Sequence, residues 1–64
     1  MIKKSTAEAI AYASKISINL FAPVYVLQKK YEKSVVCLSE WVRDQRILAG
    51  WQVIAEFKCG QRIK

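Results

Sequence analysis

The chain has no histidine, which removes the commonest general base and the commonest neutral metal ligand at once. Its two cysteines, Cys37 and Cys59, are too far apart and too few to form a zinc set without histidine. No secretory leader argues for an oxidising compartment, so both are expected to be reduced, partly buried thiols. Two glycines and one proline leave no Gly-rich phosphate loop and no flexible linker. Only five carboxylates are present, Glu8, Glu32, Glu40, Asp44 and Glu56, and they are scattered along the chain. Glu40 and Asp44 share a helical face by spacing, but with Arg43 between them they read as an ordinary solvated face. No catalytic residue, metal site or cofactor is therefore expected, and no small-molecule substrate. The longest apolar stretch, Ile16 to Leu27, is also far short of the roughly 20 residues that span a bilayer. Although Lys3 and Lys4 precede it, Glu8 and Lys15 interrupt the approach and no cleavage site follows, so neither a leader nor a membrane partner is expected.

What remains is small, apolar and basic. Sixty-four residues make a single domain, residues 1–64, and a chain this short buries only about 60% of its unfolded surface. With 53% apolar residues it has enough hydrophobic surface to fold, and eleven Lys and Arg against five acids give a net charge of +6. That field attracts an acidic protein surface, nucleic acid or anionic lipid alike. The bases are dispersed, with no run longer than two, so they do not form a basic tail.

The periodicity predicts an α+β fold of order ββαβ. From Ile10 to Leu20 the large residues fall on even positions and small ones on odd positions, a strand signature. A rival reading is a short helix over the alanine-rich AEAIAYAS, because Ser5 and Glu8 have capping-box spacing. We take the strand, with a hairpin from about Glu8 to Leu27 turning near Ser17 to Asn19. Pro23 would put the second strand at an edge or a bulge. One helix is expected from about Gln28 to Leu48, its core stripe Tyr31, Val35, Leu38 and Val42, with Val36 and Ile47 intruding on the polar face and Trp41 at the margin. Gly50 should end it in a left-handed cap. A final strand from about Trp51 to Cys59 should place Trp51, Val53, Ala55, Phe57 and Cys59 on one face. The expected core is Tyr31, Val35, Leu38, Val42, Val53 and Phe57.

Two resemblances bear on function. The tripeptide Pro23 to Tyr25, Glu40-Trp41, Ala49-Gly50 followed by Trp51, Val53, and Cys59 near the end together resemble the small RNA polymerase inhibitor of lytic short-tailed coliphages. The likeness covers about two thirds of the chain. It implies a non-catalytic phage accessory protein that inhibits a host complex, here the transcription machinery. In that inhibitor the last strand presents bases to acidic residues of the polymerase. Here the corresponding positions are Ala55 and Phe57, and Lys58 is the strand's one base. Separately, Trp41 to Ile47, WVRDQRI, is similar to the end of the recognition helix in excisionases of lambda-like phages, which implies a helix in the DNA major groove followed by a basic wing. An apolar strand follows here instead.

The functional expectation is a small cytoplasmic protein that binds an acidic surface on a host protein complex and modulates it. The expected contact residues are Lys29, Lys33, Val36, Trp41, Arg43, Arg46 and Ile47. The alternative is direct DNA binding through Arg43, Arg46, Lys58, Arg62 and Lys64.

Overall fold

Ser5 opens the first helix in the manner of a capping box. Its hydroxyl accepts from the Glu8 backbone N–H at 3.4 Å and donates to Glu8 Oε1 at 2.8 Å. In this computed structural model, which describes residues 3–20 and 22–64 with the backbone alone at Lys3 and Lys4, the elements are β1 (Lys3–Lys4), α1 (Thr6–Ser17), β2 (Val24–Gln28), β3 (Ser34–Cys37), α2 (Glu40–Leu48), β4 (Gln52–Lys58) and β5 (Gln61–Arg62). Phe21, within the expected second strand, and Met1 and Ile2 of the basic leader-like start lie outside the described residues.

The α+β class is as expected, but the ββαβ order is not. Residues 6–17 are helix rather than strand, so the rival reading of the Ser5 and Glu8 spacing was the right one. The period of two misleads because the buried stripe of α1 is made of small residues, Ala9, Ala13 and Ser17, spaced by four. They let the helix lie close on the sheet while Ile10, Tyr12 and Ile16 pack around them. The expected long helix from Gln28 to Leu48 is likewise replaced, by the end of β2, a hairpin loop, β3 and a nine-residue α2.

All neighbouring strands are antiparallel, in the order β1-β3-β2-β4-β5. The connection β1-α1-β2 steps over β3, and β3-α2-β4 steps over β2 in the same sense across the sheet but the opposite strand direction. Two crossovers of one hand must then place their helices on opposite faces. The core confirms this. On the α1 side lie Val24, Val26, Val36, Ala55 and Phe57; on the α2 side lie Tyr25, Leu27, Val35, Cys37 and Trp51.

A β-bulge divides β4 between these cores. Val26 pairs with Ala55 but Leu27 pairs with Val53, leaving Ile54 as the extra residue. Trp51 and Val53 therefore face α2 while Ala55 and Phe57 face α1, so the single face expected for β4 is corrected to two. Of the expected core, Val35 and Phe57 are buried and Val42 and Val53 half-buried, but Tyr31 is 94% exposed and Leu38 is 53% exposed. Hydroxyl bonds tie α1 to the sheet at both ends. Thr6 Oγ1 meets Ser34 Oγ at 3.0 Å, and the Gly60 N–H donates to Ser17 Oγ at 3.0 Å.

Gly50 behaves as expected. With φ at 99° it follows α2 in a Schellman motif, its N–H donating to Ile47 O and that of Trp51 to Arg46 O. Cys59 and Gly60, both at positive φ, make the two-residue turn between β4 and β5.

Candidate protein-docking surface on the second helix

Nine residues cannot hold a helix in water alone, so α2 depends on its cap and its contacts. Ser39 supplies the cap, its hydroxyl accepting from Val42 N–H at 3.4 Å. Successive residues turn by 100°, which puts Val42, Arg43 and Arg46 toward the sheet. Val42 is the only large aliphatic of these three, and no residue of α2 is fully buried. The two arginines complete the contact. The Arg43 guanidinium lies 4.7 Å from the centre of the Tyr25 ring and that of Arg46 lies 5.1 Å from the Trp51 ring. Their stems cover apolar surface and their charges sit on the electron-rich ring faces.

Arg43 also donates through Nε and Nη2 to Asp44 Oδ1, at 3.1 and 2.9 Å, and that bond holds its guanidinium above the ordinary pKa. Tyr25 beneath it is almost wholly buried, its hydroxyl donating to Glu40 Oε1 at 3.4 Å. Burial pushes the phenol pKa up, the carboxylates of Glu40 and Glu56 push it further, and Arg43 opposes them.

The outer half of α2 carries three large apolar residues, Trp41, Ile47 and Leu48, among its polar ones. Trp41 and Leu48 stand seven residues apart on one line of the helix, about 10 Å along its axis, and are 71% and 82% exposed. Ile47 lies about 100° round the helix from that line, with Glu40 and Asp44 between and Gln45 on the other side. Beside the helix start, Leu38 and Val42 join Val36, Cys37 and Ser39 around an open groove of about 220 Å³.

No protein-family model, curated protein or solved structure matches this chain. The reading of the site therefore rests on its own geometry.

That geometry divides the expected contact residues. Trp41 and Ile47 are accessible on α2. Val36 is not: it belongs to β3 and is buried in the α1-side core, because the segment is a strand covered on both faces. Lys29 and Lys33 sit in the β2–β3 loop, not on a helix, and Lys29 runs along Gly50, its Cε 3.6 Å from where a Cβ there would stand. Arg43 and Arg46 point to the sheet instead of outward.

The five residues of the DNA alternative are not brought together either. Arg62 is the cross-strand partner of Phe57 and shares its face, the α1 side, with its guanidinium 5.9 Å from that ring. Arg43 and Arg46 lie on the α2 side, and Lys58 and Lys64 are exposed at the β4–β5 margin. Sequence reasoning missed Leu48 and misplaced Leu38. The spacing of seven between Trp41 and Leu48 was the signal available for the first.

Both cysteines are free, Cys37 buried with its thiol donating to Ser39 O and Cys59 exposed. Among the described residues no three His, Cys, Asp or Glu side chains gather as a metal site, and no helix is long and apolar enough to cross a membrane.

Proposed function

We propose that this protein is a non-catalytic accessory factor that docks the outer face of α2 into an apolar groove on a larger protein and modulates that partner by occlusion. The observation that carries the reading is the inversion of α2: its sheet side is closed by Val42 and two stacked arginines, while Trp41, Leu48 and Ile47 face solvent. A helix that lays large apolar residues seven apart into a partner groove is a recurrent recognition mode, and tryptophan is among the residues enriched at interface hot spots. The net charge of +6 speeds encounter with a partner that is acidic around the groove. Resemblance to the coliphage polymerase inhibitor makes a bacterial transcription complex the first partner to test.

Duplex reading by α2 is the weaker proposal. The two arginines are engaged with aromatic rings, and Arg43 is also paired with Asp44, so neither is free to reach phosphate or a base edge. Capture of a partner from bacterial lysate should survive nuclease treatment and be lost in Trp41→Ala and Leu48→Asp, both of which should keep the native circular dichroism. Loss of the partner on nuclease treatment alone would instead favour nucleic acid.

A further inference from the structure

One end of the sheet gathers lysines on the β2–β3 loop. There β1 ends at Lys4, opposite Ser34, and the β2–β3 loop contributes Lys29, Lys30 and Lys33 against a lone acid, Glu32. At the tip of the loop stands Tyr31. Its φ of 67° is left-handed, in a turn closed by the Glu32 N–H donating to Lys29 O at 2.9 Å. Glycine or asparagine relaxes such a position, whereas tyrosine strains it. The ring repays none of that strain through burial, since it is 94% exposed. One of its faces carries the Lys30 ammonium, 5.1 Å from the ring centre, and the other faces water. Beside the loop is a recess of about 440 Å³ lined by Gln28, Lys29, Lys30, Gly50 and Gln52. Gln28 and Gln52 are cross-strand partners, so two side-chain amides stand together at its wall.

We propose that this end of the sheet binds single-stranded nucleic acid, with Tyr31 stacked on one base, Lys29, Lys30 and Lys33 on the flanking phosphates, and the Gln28 and Gln52 amides against a base edge in the recess. Each part of the arrangement answers to a part of that ligand. A base stacked on a tyrosine that carries a cation on its other face is held by dispersion and by the polarised ring. Phosphates need cations, which the exposed Lys30 and Lys33 and the half-exposed Lys29 supply. Amides carry both donors and acceptors, which a base edge needs and a carboxylate does not. An acidic peptide would use the lysines but leave the strained ring and the amide pair without a role. A duplex keeps its bases stacked on one another and offers Tyr31 no free face. The site uses none of the residues of the α2 docking face and stands or falls separately from it.

The test uses the full chain and fluorescence anisotropy of a short labelled oligothymidylate, with the matched duplex and inorganic polyphosphate as competitors. The single strand should be bound more tightly than the duplex. Tyr31→Ala should weaken it by about tenfold or more, and Tyr31→Phe should restore it. Lys33→Gln should flatten the salt dependence by about 0.7 in the logarithmic slope. Tyr31→Gly separates binding from folding: it relieves the left-handed strain, so the urea midpoint should hold or rise while affinity falls as in the alanine variant. Unchanged affinity in Tyr31→Ala overturns the proposal. So does equal competition by duplex or polyphosphate, which would leave only a surface that attracts negative charge.

Discussion

Leu27 and Leu38 offer the same substitution in two places that the sequence and the structure rank oppositely. A helix from Gln28 to Leu48 would bury Leu38 in its core stripe. The structure instead leaves Leu38 half exposed at the end of β3, whereas Leu27 is wholly buried beneath α2. Truncating a fully buried leucine removes its transfer free energy and leaves a cavity, together about 2 to 5 kcal/mol. At Leu38 only about half of the roughly 1.5 to 3 kcal/mol of full burial is at stake, and water fills the space. A chain of this length holds about 3 to 10 kcal/mol in total. Leu27→Ala should therefore remove a large share of the stability, and Leu38→Ala on the order of 1 kcal/mol or less. With a urea slope near the low end for small proteins, about 1 kcal/mol per molar, the midpoint should fall by roughly 2 M or more for Leu27→Ala and by under about 1 M for Leu38→Ala. Urea titration followed by far-ultraviolet circular dichroism measures both. Equal shifts, or a larger one at Leu38, would refute the two-faced sheet and restore the long helix.

Gly60→Ala should cost about 1 to 3 kcal/mol, since φ is +80° and the new Cβ would stand 2.8 Å from Ile18 Cγ1. Adding Ile18→Ala should recover the steric part of that loss and not the backbone part, which a double-mutant cycle in urea would separate. Tyr25 makes a pH prediction whose sign follows from its raised pKa. Burial, with Glu40 and Glu56, favours the neutral phenol in the folded state, so its contribution is intact below the ordinary value of 10.0 and is lost as pH rises through the higher folded-state value. Tyr25→Phe should lack that part of the alkaline decline in the urea midpoint; an identical decline in both proteins would contradict the assignment. Under native conditions Cys59 should alkylate at once and Cys37 only on unfolding, as mass spectrometry of a timed iodoacetamide reaction can show. Trp41→Ala and Leu48→Ala, both at exposed positions, should change the unfolding free energy by no more than about 0.5 kcal/mol in urea titration while weakening partner binding.

The sequence by itself determined those features that depend on one residue's backbone or on composition. Gly50 ends a helix because only glycine sits easily at φ 99° there. The charge of +6 and the absence of histidine bound the chemistry whatever the fold. The strand after Gly50 was legible because polar residues alternate through it, and Trp41 and Ile47 stood out as apolar residues at or on a polar face. The tertiary structure decided the rest. β2 and β3 are covered on both faces, so VYVL and SVVC show no alternation to read, and their apolar residues fall by chance into helical spacing with Tyr31 and Val42. Whether AEAIAYAS is helix or strand turned on a sheet for Ala9 and Ala13 to lie against, because a short alanine-rich helix gains its stability from packing. The bulge at Ile54 sets which core each residue of β4 enters, and it exists only because β2 pairs beside it. The same holds at the candidate site. Arg43 and Arg46 read as outward bases until Tyr25 and Trp51, distant in sequence or across a turn, supply the rings that draw them inward and leave Trp41 and Leu48 facing water.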